Sequence, residues 1–166
     1  MIPDTVAQAV NKAMYMLPAQ MASEQARVMV YAIGLQESRF LHRRQMIERD
    51  GKLIPEGPAK GYWQFERGGG CKGVLTHGAS RYWMNHLCNA RHVQPDSLSL
   101  WNAIEFDDVL AAGAARLLLF TDPFRLPAIG DEQGAWDLYV RVWRPGKPHR
   151  DTWNNLYGSA VSKVIG

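Results

Sequence analysis

Along most of this chain apolar residues recur at the three- and four-residue intervals of an α-helix. Val6, Val10, Ala13, Met14 and Leu17 form one stripe, opened by Pro3-Asp4 and stopped by Pro18. A second pattern begins after Ser23, a good N-cap, with Glu24 and Gln25 in the first turn, and predicts a helix to about Ser38 or Phe40. Its stripe runs Ala26, Val30, Ile33 and then Glu37, at i, i+4, i+7 and i+11. Further on, residues 79–90 read as a helix with Trp83, His86, Leu87 and Ala90 on one face, and Pro95-Asp96-Ser97 as a turn. Residues 105–120 carry the clearest pattern, with Phe106, Val109, Leu110, Gly113, Leu117 and Phe120 in line before Asp122-Pro123. Asp131 caps a helix bearing Trp136, Tyr139, Val140 and Trp143, which Arg144-Pro145-Gly146-Lys147-Pro148 breaks. A last helix carries Trp153, Leu156, Tyr157, Ala160 and Val164.

The periodicity fails between residues 41 and 60. The polar run His42-Arg43-Arg44-Gln45, the charged turn Glu48-Arg49-Asp50-Gly51-Lys52 and Pro55-Glu56-Gly57-Pro58 predict a loop with a short hairpin over residues 45–54. Its length suits a functional loop better than a plain connector. Gly61-Tyr62-Trp63-Gln64-Phe65-Glu66 and Arg67-Gly68-Gly69-Gly70 follow; with no strand before the glycines and no Lys-Ser/Thr after them, a P-loop is rejected, and backbone turns or close ligand approach are expected. The expected architecture is mostly α: one compact domain over residues 1–166, of about seven helices, with a short irregular or β-like segment after the second.

Composition adds modest constraints. The 166 residues are 46% hydrophobic and 21% charged, ordinary for a single globular domain. A net charge of +3 and six tryptophans suit an anionic, carbohydrate-rich partner but also plain core packing. Cys71 and Cys88 have no CxxC spacing and no paired histidines, so they are expected as reduced structural thiols; no metal or other cofactor is expected. The five histidines form no i, i+4 pair. The first residues lack a basic and apolar leader, which predicts synthesis in a cytoplasm without a signal peptide, and no apolar run is long enough to span a membrane.

The residue that departs from this pattern is Glu37. An acid at the end of an apolar stripe is desolvated, which raises its pKa and keeps it protonated for general-acid work near neutral pH. The alternative is a solvated helix end paired with Arg39, Arg43 or Arg44. After the polar loop come Tyr62, Trp63 and Gln64, aromatic and amide side chains suited to walling a sugar subsite.

Glu37-Ser38 followed by Gly61-Tyr62-Trp63-Gln64-Phe65 resembles the "ES … GLMQ" pattern of the lysozyme-like superfamily, in its soluble lytic transglycosylase and goose-type lysozyme branch. The resemblance in order and spacing covers about residues 23–146. It implies a lysozyme-like fold, Glu37 as catalytic acid, and Ser38, Tyr62, Trp63, Gln64 and Phe65 around the substrate. Tyr62-Trp63 stand where the family has Leu-Met, implying a bulkier wall. The late "AYNxG" segment is not literal; Tyr139 and Trp143-Arg144-Pro145-Gly146 occupy the comparable place, making Tyr139, Trp143 and Arg144 substrate-site candidates. The implied partner is the glycan strand of bacterial peptidoglycan, and the implied setting a bacteriophage endolysin or virion-associated enzyme, monomeric, made in the host cytoplasm and acting on the wall.

Cleaving that glycan needs a protonated acid beside the bridging oxygen and stabilisation of an oxocarbenium-like transition state. A hydrolytic muramidase adds a second carboxylate, for which Asp50 and Glu66 are the candidates, with Glu48 and Glu56 also at hand. A lytic transglycosylase uses one Glu as acid and then base, the substrate's 6-hydroxyl serving as nucleophile. The motif favours the transglycosylase. A non-catalytic wall-binding or virion structural module is the alternative of another class; nucleic-acid binding is disfavoured because the aromatics follow helix stripes.

Overall fold

The computed structural model describes all of residues 1–166. Eight α-helices and two two-stranded sheets make up the regular structure. They are α1 Asp4–Tyr15, α2 Glu24–Ser38, β1 Ile47–Arg49, β2 Lys52–Ile54, β3 Ala59–Lys60, β4 Phe65–Glu66, α3 Lys72–Thr76, α4 Arg81–Ala90, α5 Ser97–Ile104, α6 Asp108–Phe120, α7 Glu132–Trp143 and α8 Arg150–Ile165. The fold is mostly α, and 40 buried residues form one continuous hydrophobic cluster. No helix is long and apolar enough to cross a membrane.

The second helix, α2, is the axis of the structure. Ser23 caps it, accepting a hydrogen bond from Ala26 N at 3.1 Å. The sequence pattern suggested one apolar face, but Val28, Met29, Tyr31, Ala32, Gly34 and Leu35 are buried as well as Ala26, Val30 and Ile33. A helix apolar in every direction has to be enclosed, and α8 packs along it most extensively, with α6 beside it. Gly34 makes room for the segment after the helix: a Cβ there would sit 2.3 Å from the Phe40 ring and 3.1 Å from Trp63 Nε1.

The non-helical region after α2 forms two small antiparallel pairs. In the first, Ile47 faces Ile54 and Arg49 faces Lys52. Asp50 (φ 53°) and Gly51 (φ 77°) join the strands, the left-handed pair that a tight two-residue hairpin turn demands. In the second, β3 pairs with β4 around Gly61–Gln64. Gly61 has φ +75°, and a Cβ there would lie 2.6 Å from the Ile104 carbonyl oxygen.

Several expected boundaries move. The glycine run Gly68-Gly69-Gly70 is wound into a π-helical turn, Arg67–Cys71, that leads into α3, instead of forming an open turn. The segment after Pro95 continues as α5, with Asp96 accepting from Ser99 N at 2.8 Å. The stripe expected over residues 105–120 is broken, because Asp107 caps a helix that begins only at Asp108, accepting from Leu110 N at 3.0 Å. That break turns Phe106 out of the core to 72% exposure. In α4 the buried set is Met84, Leu87 and Cys88, while His86 and Ala90 are exposed. The local capping carboxylates Asp96 and Asp107 outweigh the apolar spacing in both places. Cys71 and Cys88 are free thiols; burial pushes the first up to about 12 and the second to about 11.

Gly61→Ala is expected to cost about 2 kcal/mol or more, since it combines left-handed strain with a backbone clash. Chemical denaturation checks this; an unchanged midpoint would show that the segment relaxes freely.

Candidate active site

Glu37 lies in the last turn of α2, where the buried helix reaches the protein's edge. Its side chain is partly buried, and Tyr139 Oη donates to its Oε1 at 2.6 Å. Arg116 Nη1 is the only fully buried side-chain nitrogen or oxygen without a partner, so Glu37 Oε2, which makes no bond within the protein, reaches solvent. Desolvation raises the Glu37 pKa from 4.5 to about 7, and the Tyr139 hydrogen bond opposes this only in part. The Tyr139 phenol is pushed upward by burial and by the neighbouring Glu37 charge, so it stays a hydrogen-bond donor. The carboxyl therefore has one oxygen held and one free, and keeps its proton into the neutral range.

The Tyr139 ring is fixed from behind. It stacks on Trp153 at 5.2 Å with 10° between planes, and Trp136 lies 5.5 Å from it. Trp153 is itself anchored by Nε1 donating to Glu132 O at 3.1 Å. The sequence pattern marked Trp153 as core only; its place behind Tyr139 depends on how α7 and α8 pack, which helical spacing does not encode.

Ser38 joins the acid-bearing helix to the segment that follows the loop. Its buried hydroxyl donates to Tyr62 O at 2.8 Å and accepts from Phe40 N at 3.1 Å. The chain leaves α2 through two consecutive non-glycine residues in the left-handed region, Arg39 and Phe40, both with φ 55°. Such strained positions persist where surrounding contacts dictate them; here Phe40 is buried edge-on against Tyr62 and Trp63, with centroids 5.5 and 5.6 Å away.

Of the expected aromatic wall, two members turn inward. Trp63 is 1% exposed and donates Nε1 to Val30 O at 2.7 Å, and Phe65 is 3% exposed. Both are core buttresses, not substrate walls, because burial alternates along residues 61–65 and these two fall on the inward side. Tyr62 and Gln64 stay partly exposed, and Gln64 Nε2 donates back to Gly61 O at 2.9 Å. Trp143 is half-buried, donates Nε1 to Trp63 O at 2.9 Å and packs edge-on against Phe65. Arg144 is exposed and ends α7 in a left-handed conformation, φ 50°. Glu37, Ser38, Tyr62, Trp63 and Gln64 are thus brought together with Tyr139 and Trp143 by hydrogen bonds among three chain segments.

The two candidate second carboxylates make no hydrogen bond to Glu37 or Tyr139. Asp50 is exposed at the tip of the β1–β2 hairpin, where its turn geometry accounts for it, and Glu66 is exposed at the end of β4. Two further residues border the assembly. Gln36 donates Nε2 to His149 O at 3.0 Å and accepts from Thr152 Oγ1 at 3.1 Å, tying the loop after α7 to α2. Arg43, one of the alternative ion partners weighed for Glu37, instead lies 4.4 Å over the Tyr62 ring and pairs with both carboxylate oxygens of Asp108. No family model matches the chain, and neither does any curated protein or solved structure.

The raised Glu37 pKa carries a stability consequence. The folded state holds a proton that the unfolded chain releases between pH 4.5 and about 7, so stability falls across that window as pH rises and stays lower above it. Glu37→Gln removes the titration, and is expected to exceed the wild type in stability at pH 8 by up to about 3 kcal/mol while nearly matching it at pH 4. Denaturation at the two pH values tests this; an equal difference at both would place the cause outside Glu37 ionisation.

Proposed function

We propose that this protein is a lysozyme-like peptidoglycan glycosidase, cleaving the β-1,4 bond between MurNAc and GlcNAc by lytic transglycosylation. The observation that carries the reading is the single carboxyl of Glu37, partly buried at the end of a core helix, one oxygen bound by Tyr139 and the other free, with a pKa near 7. The protonated Oε2 delivers its proton to the bridging oxygen as the C1–O bond breaks. The resulting carboxylate then takes the proton of the MurNAc 6-hydroxyl as that oxygen closes on C1, leaving a 1,6-anhydro sugar. Tyr62 and Gln64 line the sugar-binding side, and the Ser38–Tyr62 and Trp143–Trp63 hydrogen bonds hold that segment against the acid.

Transglycosylation is favoured over hydrolysis because Glu37-Ser38 and Gly61–Phe65 resemble the motif of the lytic transglycosylases. An enzyme that activates water adds a second carboxylate several ångströms from the acid, a role for which Asp50 and Glu66, both exposed, are the candidates. Mass spectrometry of muropeptides released from purified peptidoglycan distinguishes the outcomes: anhydro ends support the reading, and reducing ends would assign a hydrolase. Glu37→Gln should lower the rate at least about 100-fold, the usual contribution of a general acid. If wild type and Glu37→Gln both sediment with the wall and neither releases fragments, the protein is a binding module.

The rate is expected to fall as pH rises through about 7, as Glu37 loses its proton. Tyr139→Phe removes a bond that favours the charged carboxylate, so the descending limb should move to higher pH, with a lower maximum. A limb that stays in place, or moves down, would separate Glu37 from the observed titration.

A further inference from the structure

Arg116 lies in the penultimate turn of α6 and is 4% exposed, yet it takes part in no ion pair. Its guanidinium makes one hydrogen bond, Nε to Met21 O at 2.6 Å, and its buried Nη1 has no partner. Burial brings its pKa down to about 10, so it remains charged at neutral pH. A buried cation without a counter-charge is costly unless something pairs with it.

Arg116 borders a cavity of about 550 Å³ shared with Ser23, Gln25, Phe120, Phe124 and Arg125. The cavity sits at the N-terminus of α2, about 21 Å along the helix from Glu37. Three features there favour an anion. The first is Arg116 itself. The second is the positive end of the fifteen-residue helix α2. The third is the Ser23 hydroxyl, which accepts from Ala26 N and keeps its own proton to donate. The one carboxylate on the rim, Asp122, is already held by Arg141, at 2.8 and 3.1 Å. Beside these polar groups lie exposed apolar rings, Phe124 at 69% exposure and Phe120 at 39%. Charge at the base and aromatic surface at the mouth match a ligand with an anionic head and an apolar body.

We propose that this cavity binds an organic carboxylate carried on an apolar or aromatic body, its carboxylate meeting Arg116 and Ser23 and its body lying on Phe120 and Phe124. The site is independent of the Glu37 chemistry, and the two readings stand or fall separately.

Calorimetric titration with 3-phenylpropionate, its neutral amide and inorganic phosphate tests the proposal. The carboxylate is expected to bind, with the amide weaker by about tenfold or more, the usual difference for a charge-assisted hydrogen bond, and phosphate weaker because it has no apolar body to lie on the rings. Arg116→Met should lose carboxylate binding by a similar factor. Phe124→Ser, a change at an exposed ring, should weaken it several-fold and leave the ligand-free melting temperature unchanged, which keeps the test decisive should Arg116→Met fold poorly. The proposal is overturned if the carboxylate does not bind, if amide or phosphate binds as tightly, or if either variant binds as well as the wild type.

Discussion

A helix without a solvent face has to be wrapped, and the wrapping of α2 organises the rest of this protein. Its apolar residues point in every direction, so α8 and α6 must pack along it and the small-residue gap at Gly34 must take Phe40 and Trp63. Its far end then emerges into a partly dry environment. Glu37 occupies that exit, and its raised pKa comes from this position more than from any charged neighbour. The same enclosure that stabilises the core imposes the protonation state of the acid.

The segment after the loop is held through its backbone. Gly61, Tyr62 and Trp63 each offer a carbonyl that is taken up by a side chain: Gln64, Ser38 and Trp143 in turn. Side chains of Trp63 and Phe65 go inward, which leaves Tyr62 and Gln64 as the outward pair. Such multiple anchoring of a short irregular stretch is what a preorganised site requires, since its own strand pair is only two residues long. Behind Tyr139 the stacked Trp153, with Tyr157 beyond it at 6.0 Å, performs the same service for the hydroxyl that binds Glu37.

Charged residues join the non-helical region to the helices. Arg43 pairs with Asp108, and the buried Lys60 lies 3.7 Å from the Trp101 ring centroid and 3.1 Å from Glu105. Arg43 comes from the polar run after α2, and Lys60 from β3. Both are partly buried links across more than 40 residues of chain, and Arg43 also covers one face of Tyr62. Pairing at such separation leaves no trace in local spacing, because only the folded chain brings Asp108 to Arg43.

The sequence by itself determined the mostly α character, the caps at Ser23 and Asp131, the interruption after α2, and the choice of Glu37 as the unusual residue. These follow from periodicity, capping chemistry and proline or glycine placement, all properties of neighbouring residues. Tertiary structure alone decided which aromatics face the site. Trp63 and Trp143 look alike in sequence, but Trp63 is swallowed by the gap beside Gly34 while Trp143 remains at the surface of the core. Tertiary structure also split the expected helix over residues 105–120, turning Phe106 outward, and it gave Glu37 its one hydrogen-bond partner, 102 residues away. Helical spacing says that a side chain is buried; only the packing of α2 against α7 and α8 says beside what.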